Sequence, residues 1–328
     1  MKKVLVLLCI ISMMSVMGCS SNENSSKEIT SVEIKTTEIK NTTKNTDDII
    51  INPTSDAAGD TEASENTTEA VNVTENETAP VKAETELEEK LIWEFDNVKV
   101  YAKGIENGIT GPEIKLLVEN NSDKDIRIYT DDFMINDFMI TDICSIHVTA
   151  GNKSNDTIDV LQEYLDNAKI NRIGKIEMSL YARDDNSSDK IAKSDMITLY
   201  TSDYDESVPA PAFDGTTLVE QSDVKIVALG MEKIPDYGTK IHLYIENNTE
   251  KAVSIRTDDF AVNGFMTTEV FSAQLLPGKK IVANIDILDK YLDENGITSI
   301  DNIETIFIVK DKENYKTILK TDKISFST

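Results

Sequence analysis

Histidine occurs twice, tryptophan once and cysteine three times in 328 residues, and two of the cysteines, Cys9 and Cys19, lie among the first nineteen positions. So few imidazoles and thiols leave almost nothing from which to build a zinc site or a catalytic dyad. Basic residues are outnumbered 59 to 33 and the net charge is −26. A phosphate backbone needs a basic face, so nucleic acid is excluded as a partner. Apolar residues make up 40% of the chain, short of the about 45–50% usual for a globular domain, so part of it stays outside any packed core. No segment after residue 17 approaches the about 18 consecutive apolar residues of a membrane-spanning helix. A Gly-x-Ser-x-Gly elbow, a phosphate-cradling glycine loop and a His-Glu-x-x-His helix are all missing. The balance is that of a secreted, acidic, non-enzymatic protein of about two domains.

What is present begins with an address. Lys2 and Lys3 precede an apolar run over residues 4–17, which is too short to cross about 30 Å of hydrocarbon. The run closes on Val16-Met17-Gly18-Cys19, which resembles the lipobox of bacterial lipoproteins. The resemblance implies that residues 1–18 are a lipoprotein signal peptide and that Cys19 is the lipid attachment site. The mature protein would then sit lipid-anchored on the extracellular face of the cell membrane. Two acyl chains anchor stably where one holds only marginally. The other reading is an ordinary signal peptide with an incidental cysteine.

Residues 19–90 read as a disordered acidic Ser/Thr-rich tether. Between Cys19 and Lys90 there are about 17 acidic against 6 basic residues and no Trp, Tyr or Phe, the low-hydrophobicity, like-charged balance of an unfolded segment. As a flexible coil it would average about 45 Å end to end. The Asn-x-Thr triplets at Asn66, Asn72 and Asn76 belong to this spacer rather than to glycosylation.

The rest is one domain written twice. Glu119-Asn120-Asn121-Ser122 returns as Glu246-Asn247-Asn248-Thr249, and Thr130-Asp131-Asp132-Phe133 as Thr257-Asp258-Asp259-Phe260. Asn136, Phe138 and Met139 return as Asn263, Phe265 and Met266 at the same 127-residue offset. About 34 of the 88 positions from Ile114 to Thr201 are identical at that spacing. A period this long means complete tandem domains rather than solenoid units. The expected domains are repeat 1 over residues 91–204, a short semi-rigid linker over 205–217 containing Val208-Pro209-Ala210-Pro211, and repeat 2 over 218–328.

Each repeat alternates apolar and polar residues in the manner of strands, as in Val98-x-Val100-x-Ala102, Ile241-x-Leu243-x-Ile245 and Ile176-x-Met178-x-Leu180. Asn120-Asn121 and Asn247-Asn248 suit turns because Asn tolerates positive φ. Helical spacing occurs only at Leu161, Tyr164, Leu165 and at their copies Leu288, Tyr291, Leu292, the second stopping at Asn295-Gly296. The predicted class is all-β, two tandem immunoglobulin-like β-sandwiches of seven or eight short strands, each with one short helix. The lipobox, the acidic spacer, and "IENN" followed by "DDFAVNGFM" together resemble clostridial cell-surface lipoproteins with tandem telokin-like, immunoglobulin-like domains of unknown function. That resemblance implies a sandwich fold and a surface location, and carries no catalytic residues.

Few residues invite a chemical reading. Cys144 stands where the other copy has Phe271, so it reads as core volume, and Trp93 reads as a core cap. His147 matches Gln274 and His242 matches Lys115, so neither histidine belongs to the shared design. Asp131-Asp132 and Asp258-Asp259 read either as the start of a turn, bonding nearby N–H groups, or as oxygen ligands for Ca²⁺. Phe138-Met139 and Phe265-Met266 read as buried core, or as a repeated exposed patch binding a partner with avidity. Catalytic, cofactor and metal residues are assigned as none. The expected function is a non-enzymatic surface lipoprotein, an interaction or envelope-structural module with an unknown protein or cell-wall partner. A ligand-capturing lipoprotein serving a transporter and an extracellular hydrolase are the alternatives.

Overall fold

The computed structural model describes residues 85–267 and 271–327; the expectations for the leader, the tether up to residue 84 and Cys19 lie outside the described residues. No helix among the described residues is long and apolar enough to cross a membrane.

Repeat 1 runs β1 (Lys90–Phe95), β2 (Val98–Asn107), β3 (Pro112–Asn120), β4 (Ile126–Ile135), β5 (Phe138–Met139), β6 (Asp142–Ile143), β7 (Ile146–Val148) and β8 (Lys153–Val160), followed by α1 (Gln162–Asn167), β9 (Lys175–Asp184), β10 (Lys190–Lys193) and β11 (Ile197–Tyr200). Repeat 2 follows the same order. It comprises β12 (Thr216–Gln221), β13 (Val224–Ile234), β14 (Gly238–Asn247), β15 (Val253–Val262), β16 (Phe265–Met266), β17 (Ser272–Leu275), β18 (Lys280–Leu288), α2 (Asp289–Glu294), β19 (Ile303–Asp311), β20 (Thr317–Lys320) and β21 (Ile324–Phe326). The fold is all-β with one six-residue helix per repeat, as the period-2 patterning predicts.

In repeat 1 the sheet β1-β2-β3-β8-β6 packs on β10-β9-β4, with β11 beside β9 and β5 and β7 beside β4. Alternate residues fill the space between them, Val98, Val100, Ala102, Ile114, Leu116 and Val118 from one side and Ile126, Ile128, Ile176, Met178 and Leu180 from the other, all essentially inaccessible to water. Repeat 2 stacks β12-β13-β14-β18 on β20-β19-β15 in the same way, around Ile226, Leu243, Ile245, Ile255, Phe307 and Val309. Strands outnumber the seven or eight expected per repeat because pieces of two to four residues, such as β5, β6 and β7, add to the long ones.

The bulges are themselves repeated. Register shifts fall between Ala102 and Gly104 and between Ala228 and Gly230, where Gly104 and Gly230 hold φ of 153° and 145°, a region that disfavours side chains. A second pair falls at Thr130/Asp132 and at Asp258/Ala261. The Thr-Asp-Asp motif is therefore a bulge in the middle of a strand and does not begin a turn. Helix α2 closes on Gly296 with φ 65°, and Ile297 N–H returns to Leu292 O at 2.8 Å, the glycine stop expected from Asn295-Gly296.

Asn120 and Asn247 do sit at turns, but not through positive φ. Both are fully buried. Asn120 Nδ2 donates to Lys124 O at 2.8 Å and Val148 O at 3.0 Å, while its Oδ1 accepts from Ser122 N–H and Oγ. Asn247 repeats the arrangement on Lys251 O, Leu275 O, Leu276 O and Thr249. A buried amide that fills its donors and acceptors ties its own loop to the end of a neighbouring strand, and this is why Asn-x-Ser/Thr is written twice.

The repeats form one compact unit. β5 lies between β4 and β18, pairing with β18 in parallel at Phe138↔Lys280. One sheet of each sandwich thereby becomes part of a single ten-stranded sheet.

Candidate functional site

The residues of greatest interest gather where the repeats meet. The turn Asn136-Asp137, both left-handed with φ of 49° and 68°, projects β5 from the end of β4. Its base is clamped by Asn136, whose Oδ1 accepts from Gly174 N–H at 3.0 Å and Lys175 N–H at 2.9 Å and whose Nδ2 donates to Arg172 O at 2.7 Å. Asn263 makes the same clamp in repeat 2, on Asp301 and Asn302 N–H and Ser299 O.

Phe138 is fully buried at the junction. Its ring centroid lies 5.9 Å from that of Phe213, contributed by the linker, and 6.3 Å from that of Tyr244, contributed by β14. Phe213 and Tyr244 stack at 4.3 Å. Lys280 Nζ lies 5.8 Å from the Phe138 ring centroid, and Lys169 Nζ lies 4.8 Å from that of Phe213, within reach of cation–π attraction. Met139 packs against the core of repeat 2, while Val227 and Tyr244 of repeat 2 join that of repeat 1. The linker contributes to this packing through Phe213 rather than acting only as a spacer.

A charge cluster closes the same junction. Lys279 Nζ reaches Asp137 Oδ1 at 2.6 Å and Glu177 Oε2 at 2.5 Å, and Lys175 Nζ reaches the same two carboxylates at 2.7 and 3.3 Å. Burial alone would raise the Asp137 carboxyl, but the hydrogen bonds and charges of the two ammonium groups outweigh it and hold the pKa at about 2. Burial likewise works to lower Lys175, and Asp137 and Glu177 overcome it and raise it above the ordinary lysine value. Beside the junction an open cavity of about 430 Å³ is lined by Lys169, Phe213, Met231, Glu232, His242 and Val282, among others.

The other sequence candidates go elsewhere. Asp131 is held by Lys193 Nζ at 2.5 Å, with Lys190 at 3.9 Å, and Asp132 accepts from Ser179 Oγ at 3.2 Å. Asp258 faces Lys320 Nζ at 4.0 Å and Arg256 at 3.9 Å. Lys193 and Lys320 are equivalent at the 127-residue spacing, so the repeated aspartate carries a repeated lysine. Among the described residues no three His, Cys, Asp or Glu side chains are grouped to hold a metal. His242 Nε2 lies 3.3 Å from Glu232, and in repeat 1 the equivalent strands pair Lys115 with Glu106 at 3.3 Å; the imidazole takes a lysine's place in a repeated cross-strand pair. His147 Nε2 sits 3.2 Å from Asp185, which also accepts from Arg127 Nε at 2.8 Å. Cys144 is a free thiol pushed up to about 12 by burial, and Trp93 packs beside Phe95 against the first core.

Phe138-Met139 and its copy divide. In the first, Phe138 is buried in the junction and Met139 half-buried. The second lies at the far end of repeat 2, with Phe265 46% and Met266 60% exposed. Neither sequence reading holds for both copies, because burial here depends on what packs over the motif, and β18, Phe213 and Tyr244 pack over Phe138.

No protein-family model matches the chain, and no curated protein matches it. Among solved structures it is similar to a protein of unknown function from Porphyromonas gingivalis W83, at 12% identity and a TM-score of 0.19 over 67% of this chain and 93% of that one. It is also similar to red sea bream transglutaminase, at 9% identity and a TM-score of 0.19 over 74% of this chain, but it spans only 31% of that enzyme.

Proposed function

We propose that the chain is a non-enzymatic lipoprotein, anchored through Cys19 to the outer face of a cell membrane. Its two sandwiches would serve as an interaction or envelope-structural module held out on the acidic tether. One observation supports the module reading above the others: the repeats share a sheet and close over Phe138, with Lys279 bridging Asp137 and Glu177 across the joint. Such a joint makes two domains into one displayed body. The repeated polar residues serve that scaffold, as Asp131 and His242 illustrate.

The anchoring is tested by expressing wild type and Cys19→Ala in a Gram-positive host with labelled palmitate. Wild type is expected labelled and in the membrane fraction, and the variant unlabelled and released. A variant that stays in the membrane would overturn the assignment. A second reading, a ligand-capturing lipoprotein serving a transporter, draws support from the cavity beside the junction, whose volume suits a small molecule.

A further inference from the structure

The internal junction consists of two halves, and each half recurs with its outer strand edge unpaired among the described residues. The inserting half is a left-handed two-residue turn followed by Phe-Met on a short strand. In repeat 1 that strand, β5, pairs with β4 on one side and β18 on the other. In repeat 2 the turn Asn263-Gly264 has φ of 49° and 84°, and β16 pairs only with β15 among the described strands. Phe265 and Met266 stand exposed at an open sheet edge.

The receiving half is the start of β18 with the outward residues of β13 and β14. Lys280 pairs there with Glu246 on one side and Phe138 on the other, and Val227 faces Tyr244 across the strands. In repeat 1 the equivalent Lys153 pairs with Glu119, and β6 covers β8 only at Asp159 and Val160. The edge at Lys153 is therefore open. Tyr101 and Leu117 face each other as Val227 and Tyr244 do, again one aromatic and one aliphatic residue, both partly exposed.

From this we infer that the exposed Phe265-Met266 tip is a docking surface for a second copy of this chain, which receives it on the β8 edge beside Tyr101 and Leu117. The contact is a head-to-tail continuation of the junction between the repeats. Exposed sheet edges with apolar side chains invite strand addition, and this chain already carries out that addition once within itself. The charge pair does not recur: Gly264 replaces Asp137 and Asn152 replaces Lys279. The Glu177 carboxylate does persist as Glu304, but Lys323 Nζ lies 3.6 Å from it, so it is not left without a counter-charge. The intermolecular contact keeps the apolar insertion without the charge cluster, and is accordingly weaker than the internal one. Because inserting and receiving surfaces differ, the contact is heterologous and extends copy by copy rather than closing as a two-fold dimer.

The test uses the full chain carrying Cys19→Ser, with a photo-crosslinking residue at position 266 and sedimentation measured over a wide concentration range. The expected crosslink joins position 266 of one chain to peptides around Tyr101, Leu117 or Asn155 of another, and the average mass rises with concentration beyond the dimer. Met266→Asp alone is expected to weaken association at least about tenfold, about 1.4 kcal/mol, with an unchanged melting temperature because the side chain is exposed. Tyr101→Glu should do the same from the other side. A mixture of the two variants should stop at dimers, since one supplies only a receiver and the other only an inserter. Phe265→Ser is the second variant should Met266→Asp alter folding. A monomer at every concentration overturns the inference. So does a crosslink to residues 20–84 of the same chain, a crosslink to an unrelated surface, or a dimer lost in Met266→Asp but indifferent to Tyr101→Glu, which would be two tips meeting symmetrically.

Discussion

Asn120 shows how much a single side chain carries when it is buried with every polar atom engaged. Its amide serves Lys124 O and Val148 O, and its carbonyl oxygen serves Ser122. Asn120→Ala removes all four bonds at once, including the one to the buried Val148 carbonyl, at a cost of about 2–3 kcal/mol. Urea unfolding should show the loss as a lower midpoint with an unchanged slope, and Asn247→Ala should match it in repeat 2. Cys144 makes the opposite point. Its thiol is half-buried against the first core and pushed up to about 12, desolvation being the main cause and the nearby Asp142 adding to it, so the thiolate that reacts is scarce. In a chain with Cys9→Ser and Cys19→Ser, Ellman's reagent should react with Cys144 far more slowly in the folded protein than in urea. Immediate reaction of the folded protein would contradict the packing role. The core role of Cys144 was legible from its alignment with Phe271. The role of Asn120 was not, because a turn-forming asparagine and a buried clamp look alike until the carbonyls it serves are placed.

At the scale of elements, the short strand β5 and its turn do more than their two residues suggest. Asp137 sits between Lys175 and Lys279 with its pKa lowered from 3.8 to about 2. A carboxyl depressed in the folded state contributes stability that is full above its ordinary pKa and is lost as pH falls toward the depressed value. Wild type should therefore melt above Asp137→Asn at neutral pH, with the gap narrowing below about pH 4 and closing near pH 2. A gap that persists unchanged at pH 2 would show that the charge is not what matters. Strand alternation was readable throughout, since period 2 exposes one face and buries the other. The bulge at Asp131-Asp132 was hidden, because one extra residue on one strand is defined only by the strand opposite.

For the whole molecule, the shared sheet predicts joint unfolding. Tyr244 faces away from the second core, stacks on Phe213 and approaches Phe138, so Tyr244→Ala weakens the joint while sparing Leu243 and Ile245 beneath it. Removing so large a buried ring costs about 3 kcal/mol or more. Calorimetry should show one cooperative transition for wild type and two for the variant. Two transitions in wild type would mean that the repeats are energetically independent.

The tandem duplication, the all-β class, the strand faces and the helix stops follow from the sequence alone, because they rest on local periodicity and on comparing the chain with itself. The identical motif Phe-Met has two different fates, Phe138 fully buried with Met139 half-buried beside it, and Phe265 and Met266 both exposed, and no local pattern distinguishes them. That difference arises only in the tertiary structure, because a side chain's burial depends on what packs over it. Over Phe138 it is β18 and Tyr244 of repeat 2 that pack.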